Sequence, residues 1–211
     1  MRRSAARPFA TTARAPAARR PRTSFDVAVD LHAVLDAAHI TPPYVLAGQS
    51  LGGMNALAFT HRYRNEVAGL VLIDSSHPQQ LGRLNGALPP RSADESAIMQ
   101  GFRNGPDRTA TGGEWFDFGK NSEQFANNMS IGNIPLIVLT AAPQPPEDNH
   151  PLPREWQSAI KSLHHELQRE LAHSSSNSKH IVARKAGHNI QLDEPQLVLD
   201  AITELVTRAR L

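Results

Sequence analysis

Residues 44–53 read YVLAGQSLGG, a short apolar run that leads into a serine flanked by glycines. The apolar run, closed by Gly48, is typical of a buried strand. Residues 51–63 predict a helix with small side chains at its start. The spacing Gly48-x-Ser50-x-Gly52 therefore predicts a sharp turn between a strand and a helix, which exposes the serine hydroxyl above the sheet.

A turn of this kind gives Ser50 a candidate chemical role. Its backbone is expected to be strained, and glycines at positions 48 and 52 would remove Cβ atoms that otherwise collide. The new helix also points free N–H groups toward the serine. Ser50 is therefore a candidate nucleophile. Two alternatives are an ordinary serine in a structural glycine turn and an anion site at the helix N-terminus.

Buried strands alternate with helices along the rest of the chain. Strands are predicted at 69–73, 134–140 and 180–184, and helices at 25–40, 156–171 and 197–206. Asp193 is expected to cap the last helix. The first helix has an apolar stripe formed by Val27, Leu31, Val34, Leu35 and Ala38. This alternation predicts an α/β fold with a mostly parallel sheet flanked by helices.

Residues 77–132 are polar, glycine-bearing and weakly periodic, as expected for an inserted cap or a long loop in a domain that spans 25–211. Aromatic side chains are concentrated in this segment, among them Trp115, Phe116 and Phe118. They could line a substrate pocket or form the small core of the cap itself.

The first 24 residues differ in composition from the rest of the chain. They hold seven of the 22 basic side chains and no acid, so the remainder carries 15 basic against 20 acidic side chains. This acidic body argues against nucleic-acid binding. We expect the segment to be a disordered tail of a cytoplasmic protein, with a transit peptide as the alternative.

Two further compositional features exclude other classes of site and partner. The chain has no cysteine, which excludes disulfides, thiolate catalysis and zinc–cysteine sites. Its apolar runs are all shorter than the roughly 18 residues of a membrane-spanning helix, so we expect no membrane partner.

Gly187-His188 follows the last predicted strand closely. Loops that leave the carboxyl ends of parallel strands meet at one edge of the sheet, where His188 can reach Ser50 as a general base. Another histidine pair, His164-His165, falls within a predicted helix. Because adjacent helical residues do not share a face, we predict no metal site there.

Three stretches together resemble the α/β-hydrolase superfamily: PYVLAGQSLGG at 43–53, VAGLVLIDSSHP at 67–78 and AGHNIQLDEP at 186–195. The resemblance covers about residues 25–210, the C-terminal two thirds of such a domain. It implies a serine hydrolase with a Ser-acid-His triad in that chain order. The implied substrate is a small carbonyl compound (an ester, thioester or amide), cleaved through an acyl-enzyme without cofactor or metal.

The acid of the implied triad has three candidates. Family members most often carry it after the strand that corresponds to 134–140, where this chain offers Glu147 and Asp148. Some members carry it after the preceding strand, where Asp74 stands. Asp74 is the preferred candidate because it ends a strand and lies between Ser50 and His188 in the sequence.

The chain departs from the family pattern at its N-terminus. Such hydrolases usually have further strands there, and one intervening loop donates an N–H to the oxyanion. Residues 1–24 contain no glycine and no strand-like run, so the resemblance implies a single oxyanion donor, the backbone N–H of Leu51. The alternative function is therefore an inactive or truncated hydrolase relative with a binding or structural role.

Overall fold

The computed structural model describes residues 21–104, 116–126 and 128–209. Within them, four strands form one sheet in the order β1-β2-β3-β4, and every neighbouring pair is parallel. The strands are β1 (Tyr44–Gln49), β2 (Val67–Ile73), β3 (Leu136–Ala141) and β4 (Ser178–Ala183). The helices are α1 (Ser24–Ala37), α2 (Leu51–Arg62), α3 (Gln80–Ala87), α4 (Ala97–Asn104), α5 (Phe118–Phe125), α6 (Arg154–Ala172), α7 (Ile190–Asp193) and α8 (Pro195–Ala209). The predicted parallel α/β architecture is confirmed.

Both faces of the central strands β2 and β3 are buried, which explains why these strands are continuously apolar. In β2, Leu70 and Leu72 belong to the core cluster that contains α1 and α2 residues. The alternate residues Val71 and Ile73 face the opposite way and pack with α8. Strand β3 divides its side chains between the same two clusters.

The buried face of α1 differs from the predicted apolar stripe. Ala28 is buried, and the half-buried Phe25 and Leu35 pack against the same core cluster. Leu31 and Val34 are 36% and 62% exposed. The helix lies against α2 through a narrow face, so part of the predicted stripe points away from the core.

The predicted cap of the last helix is wrong. Helix α8 begins at Pro195, and Asp193 ends the short helix α7 before it. The Asp193 carboxylate instead accepts a hydrogen bond from the backbone N–H of Gly187 at 2.9 Å. It therefore stabilises the loop that carries His188.

The described part of 77–132 contains the helices α3, α4 and α5. A buried ion pair between Arg103 and Glu95, with a 2.7 Å hydrogen bond, links the end of α4 to the preceding loop. The Arg103 guanidinium also lies 4.5 Å from the centre of the Trp156 ring on α6. No helix in the described part of the chain is long and apolar enough to cross a membrane.

Candidate active site

The loops after the first three strands are held side by side by backbone hydrogen bonds that continue the sheet beyond its strands. The backbone N–H of Ser50 donates to the backbone oxygen of Ile73 at 3.1 Å, and that of Asp74 donates to the backbone oxygen of Leu139 at 2.7 Å. Ala142 N–H donates to Ala183 at 2.9 Å in the same way. Because the strands are parallel, all of these loops open at one edge of the sheet.

Ser50 occupies the predicted turn, with φ at 53° and ψ at −124°, between β1 and α2. A Cβ on Gly48 would lie 2.6 Å from the backbone nitrogen of Gly53, so the turn requires glycine at position 48. A Cβ on Gly53 would lie 2.6 Å from the Ser75 Cβ, whereas one on Gly52 would meet nothing within 4 Å. The second glycine that the packing demands is therefore Gly53 and not Gly52.

Asp74 lies at the end of β2 with φ at 42°, and it is 3% exposed. Its Oδ2 atom is 2.7 Å from Nδ1 of His188. Its Oδ1 atom accepts the backbone N–H of Ala141 at 3.0 Å and lies 2.9 Å from Nε2 of His164. The structure thus brings one buried carboxylate to two imidazoles.

The surroundings of Asp74 favour its ionised form. Burial by itself would raise the pKa of the carboxyl group. Hydrogen bonds from the two histidines and from a backbone N–H outweigh burial and hold the pKa of Asp74 below its usual value. The carboxylate is therefore negative at neutral pH.

The two alternative acids lie elsewhere. The Asp148 side chain is 85% exposed and pairs with Arg154 at the start of α6. Glu147 is exposed, and its backbone N–H donates to the Gln157 side chain at 2.9 Å. Of the three candidates, the structure brings Asp74 to His188 and neither of the others.

Gln49, the last residue of β1, contacts His188 twice. Its Nε2 atom donates to the backbone oxygen of His188 at 3.2 Å and lies 3.1 Å from the ring Nε2. A carbonyl oxygen accepts only, so the first contact fixes the NH₂ group of Gln49 toward His188. The ring Nε2 must then be an acceptor, which leaves the imidazole proton on Nδ1, beside Asp74.

In this tautomer, the unprotonated Nε2 of His188 lies against the Gln49 amide. No hydrogen bond between the Ser50 hydroxyl and His188 is present among the described residues. Hydrogen bonds at catalytic centres are often long or absent before substrate binds. The Gln49 amide therefore occupies the ring nitrogen of His188 that does not contact Asp74.

A cavity of about 400 Å³ opens in front of these residues. Ser50, Asp74 and His188 line one side, and the loop after β3 lines another. Helix α6 contributes a third side through Ile160, Lys161, Leu163, His164 and His165. Most of a small ester would fit in this volume.

Two of the three predicted aromatic pocket residues, Phe116 and Phe118, are not among the residues that line this cavity. Phe116 and Phe118 pack against each other, with ring centres 4.9 Å apart, and against the hydrophobic core. Trp115 lies outside the described residues. The cavity is lined instead by residues of α3, α6 and the loops at the sheet edge.

Sequence reasoning missed two polar residues at this site, Gln49 and His164. Gln49 stands inside the serine motif, which is itself a signal, but nothing local shows that its amide reaches a loop 139 residues away. His164 is on α6, whose path over the sheet edge depends on long-range packing. Groups of three or more histidine or acidic side chains that could hold a metal are absent from the described residues.

Comparisons with known proteins agree with the fold. A sequence model described as the alpha/beta hydrolase family matches residues 4–201. The chain is 25% identical over 191 residues to the uncharacterized protein YqjL of Bacillus subtilis (strain 168), covering 89% of this chain and 66% of YqjL. The chain thus spans slightly less than two thirds of the length of this curated relative.

Two solved structures show the same fold at low identity. A probable hydrolytic enzyme from Pseudomonas aeruginosa PAO1 matches with a TM-score of 0.56 and 18% identity, covering 90% of this chain and 71% of that one. A thermophilic esterase from Thermogutta terrifontis matches with a TM-score of 0.52 and 19% identity, covering 91% and 75%.

Proposed function

This chain belongs to the α/β hydrolase family, and from that membership we propose that it is a serine hydrolase of small esters, thioesters or amides. One observation carries the proposal, the 2.7 Å contact of His188 Nδ1 with Asp74 at the sheet edge that also presents Ser50. A carboxylate on Nδ1 orients an imidazole and stabilises its protonated form. A base for a serine hydroxyl requires both effects.

In the first half of the proposed reaction, Ser50 Oγ attacks the carbonyl carbon while His188 Nε2 takes the hydroxyl proton. Asp74 remains ionised and compensates the new positive charge on the imidazole. The backbone N–H of Leu51, the first residue of α2, donates to the oxyanion because it has no acceptor within its own helix. The leaving group then departs with the proton from His188, and an ester between Ser50 and the acyl group remains.

The second half regenerates the serine. Water gives a proton to His188 Nε2 and attacks the acyl carbon, and the same N–H holds the second oxyanion. The bond to Ser50 Oγ breaks as the protonated imidazole returns its proton to that oxygen. A carboxylic acid is released, and no cofactor takes part. The esterase from Thermogutta terrifontis makes esters the first compounds to test on this chain.

The test is labelling with a fluorophosphonate probe, beside a Ser50→Ala control, with the modified peptide located by mass spectrometry. We expect labelling at Ser50, none in the control, and hydrolysis of 4-nitrophenyl esters by the unsubstituted protein alone. Absence of labelling in a protein that unfolds cooperatively would contradict the proposal. That result would support the binding or structural role of a disarmed relative.

A further inference from the structure

The α6 side of the cavity is chemically distinct from the side that carries Ser50. It combines the apolar Ile160 and Leu163 with Lys161, His164 and His165. Lys161 and His164 are three residues apart and share one face of the helix, and His165 beside them also lines the cavity. This side offers positive charge and N–H donors, with no carboxylate of its own among the lining residues.

Asp74 and Lys161 carry opposite charges in the lining of the cavity, and they differ in the partners that they already have. Asp74 is the acidic residue among its lining residues, and both of its oxygens already accept hydrogen bonds from within the site. Lys161 has no carboxylate partner within 4.0 Å among the described residues. Its ammonium donates to the backbone oxygen of Pro145 at 3.0 Å, which leaves two of its N–H groups for another acceptor.

Two acidic residues near Lys161 on α6, Glu166 and Glu170, form ion pairs with another residue. The guanidinium of Arg83 on α3 binds Glu170 at 2.7 Å and Glu166 at 2.5 Å. Neither glutamate lines the cavity. Both glutamates are therefore paired with Arg83 and neither is paired with Lys161.

The two histidines that α6 contributes to the cavity add hydrogen-bonding groups and no negative charge. Burial, with the nearby His164 as the next cause that acts in the same direction, lowers the pKa of His165. His165 is therefore a neutral hydrogen-bonding group at neutral pH. His164 is held against Asp74 at 2.9 Å. Among the described lining residues, an anion would find a positive side chain and polar N–H donors.

We propose that this cavity selects esters whose acyl chain carries a carboxylate. The proposal rests on the serine hydrolase function above, and it assigns the negative end of the substrate to Lys161. The acyl half stays attached to Ser50 through both steps, so it is the half that the cavity must hold. A positive side chain in a cleft of low dielectric constant, with no carboxylate paired to it, attracts the negative end of a ligand.

The experiment compares two 4-nitrophenyl esters of equal chain length, the monoester of adipic acid and the hexanoate. They differ in a carboxylate that replaces the terminal methyl group. We expect kcat/KM for the adipate ester to be about fivefold higher at low salt. High salt should reduce this ratio because a half-buried lysine is screened. Lys161→Gln should bring the ratio to about one, and Lys161→Glu should reverse it.

The matched control is Lys179→Gln, which removes the same charge from β4, where the lysine pairs with Glu204 at 3.1 Å. Lys179→Gln should leave the preference for the adipate ester over the hexanoate unchanged. Equal hydrolysis of both esters, or a preference that Lys161→Gln retains, overturns the inference while the hydrolase function stands.

A binding measurement tests the anion site independently of the hydrolase function. Ser50→Ala protein is titrated with monomethyl adipate and with methyl hexanoate, followed by NMR. Tighter binding of the adipate, lost on adding Lys161→Gln, supports the anion site even if no ester is hydrolysed. Equal or undetectable binding of the adipate overturns it.

Discussion

At the scale of single residues, the site depends on two strained backbones next to each other. Ser50 and Asp74 have φ values of 53° and 42°, in the left-handed region that side-chain-bearing residues seldom adopt. Strain of this kind costs on the order of 1–3 kcal/mol for each residue and persists where the surroundings enforce it. Both residues end adjacent parallel strands, so the strain aims a hydroxyl and a carboxylate at the same edge.

The identity of the acid is tested by a matched pair of substitutions. Asp74→Asn keeps the shape of the side chain but removes the charge that supports a protonated His188. We expect turnover and fluorophosphonate labelling to fall by roughly 10²–10⁴-fold. Asp148→Asn, at the exposed alternative, should leave both rates within a factor of two of the original. A larger loss in Asp148→Asn than in Asp74→Asn would refute the assignment.

A second residue-scale prediction concerns Gln49. Its amide occupies Nε2 of His188, so Gln49→Ala frees this nitrogen for the Ser50 hydroxyl. One net hydrogen bond is worth about 1 kcal/mol, so we expect Ser50 to be labelled about fivefold faster. The control is Gln144→Ala, which removes another amide at the cavity without touching His188. An unchanged or slower rate in Gln49→Ala would show that the contact does not compete.

At the scale of elements, the junction of β1 and α2 decides whether the serine is presented at all. The first turn of α2 lies so close to β1 and to the loop after β2 that positions 48 and 53 have no room for a side chain. Position 52 is on the open side of the same turn. The sequence motif and the packing therefore both require Gly48, but the motif names Gly52 as its second glycine and the packing requires Gly53.

Substitutions at Gly52 and Gly53 test the steric explanation, because one position is open and the other is crowded. A Cβ at Gly53 would lie 3.0 Å from the oxygen of Gly48, a backbone atom that cannot move aside. We expect Gly53→Ala to destabilise the protein by about 1–3 kcal/mol and to abolish labelling. Gly52→Ala should stabilise it by up to about 1 kcal/mol, because alanine favours the helix. Urea denaturation measures both, and equal effects would contradict the steric explanation.

At the scale of the whole molecule, buried histidines link stability to pH. Burial lowers the pKa values of His61, His77, His165 and His180, and that of His77 reaches about 4. Between this value and the ordinary one near 6.5, the unfolded chain binds protons that the folded chain does not. The free energy of unfolding therefore falls as the pH is lowered through that window.

His77 allows this linkage to be measured at one position. Its side chain is buried, with Nδ1 accepting the N–H of Gln79 at 3.1 Å and Nε2 at 3.7 Å from Glu170. His77→Asn keeps an acceptor for that N–H but does not titrate. Between pH 6.5 and 4, the original protein should lose about 3 kcal/mol more stability than the variant, by urea unfolding. Parallel pH profiles would show that His77 is not the responsible group.

Asp74 contributes to the pH dependence of stability with the same sign as the histidines and in a lower pH range. Its pKa is depressed in the folded state, so the stability it adds is present above the unfolded value near 3.9. That contribution is lost as the pH falls from there through the folded value. It therefore lies below most of the window in which the histidines act.

The sequence by itself determined the features that depend on neighbours along the chain. The run into Ser50 specified a strand, a strained turn and a helix, since burial pattern and glycine spacing act over a few residues. The parallel sheet followed from the alternation of elements, and the place of His188 followed from its position after the last strand. Phe25 and Ala28 show the limit, because the buried face of α1 depended on how the helix lies against α2.

Only the tertiary structure decided which groups meet across the sheet edge. Asp74 reaches His188 over a separation of 114 residues, and the Gln49 amide reaches the same ring over 139. His164 joins Asp74 because α6 crosses in front of the strand ends. Such contacts are set by packing angles and loop paths, which arise from the whole core at once, and no local pattern along the chain encodes them.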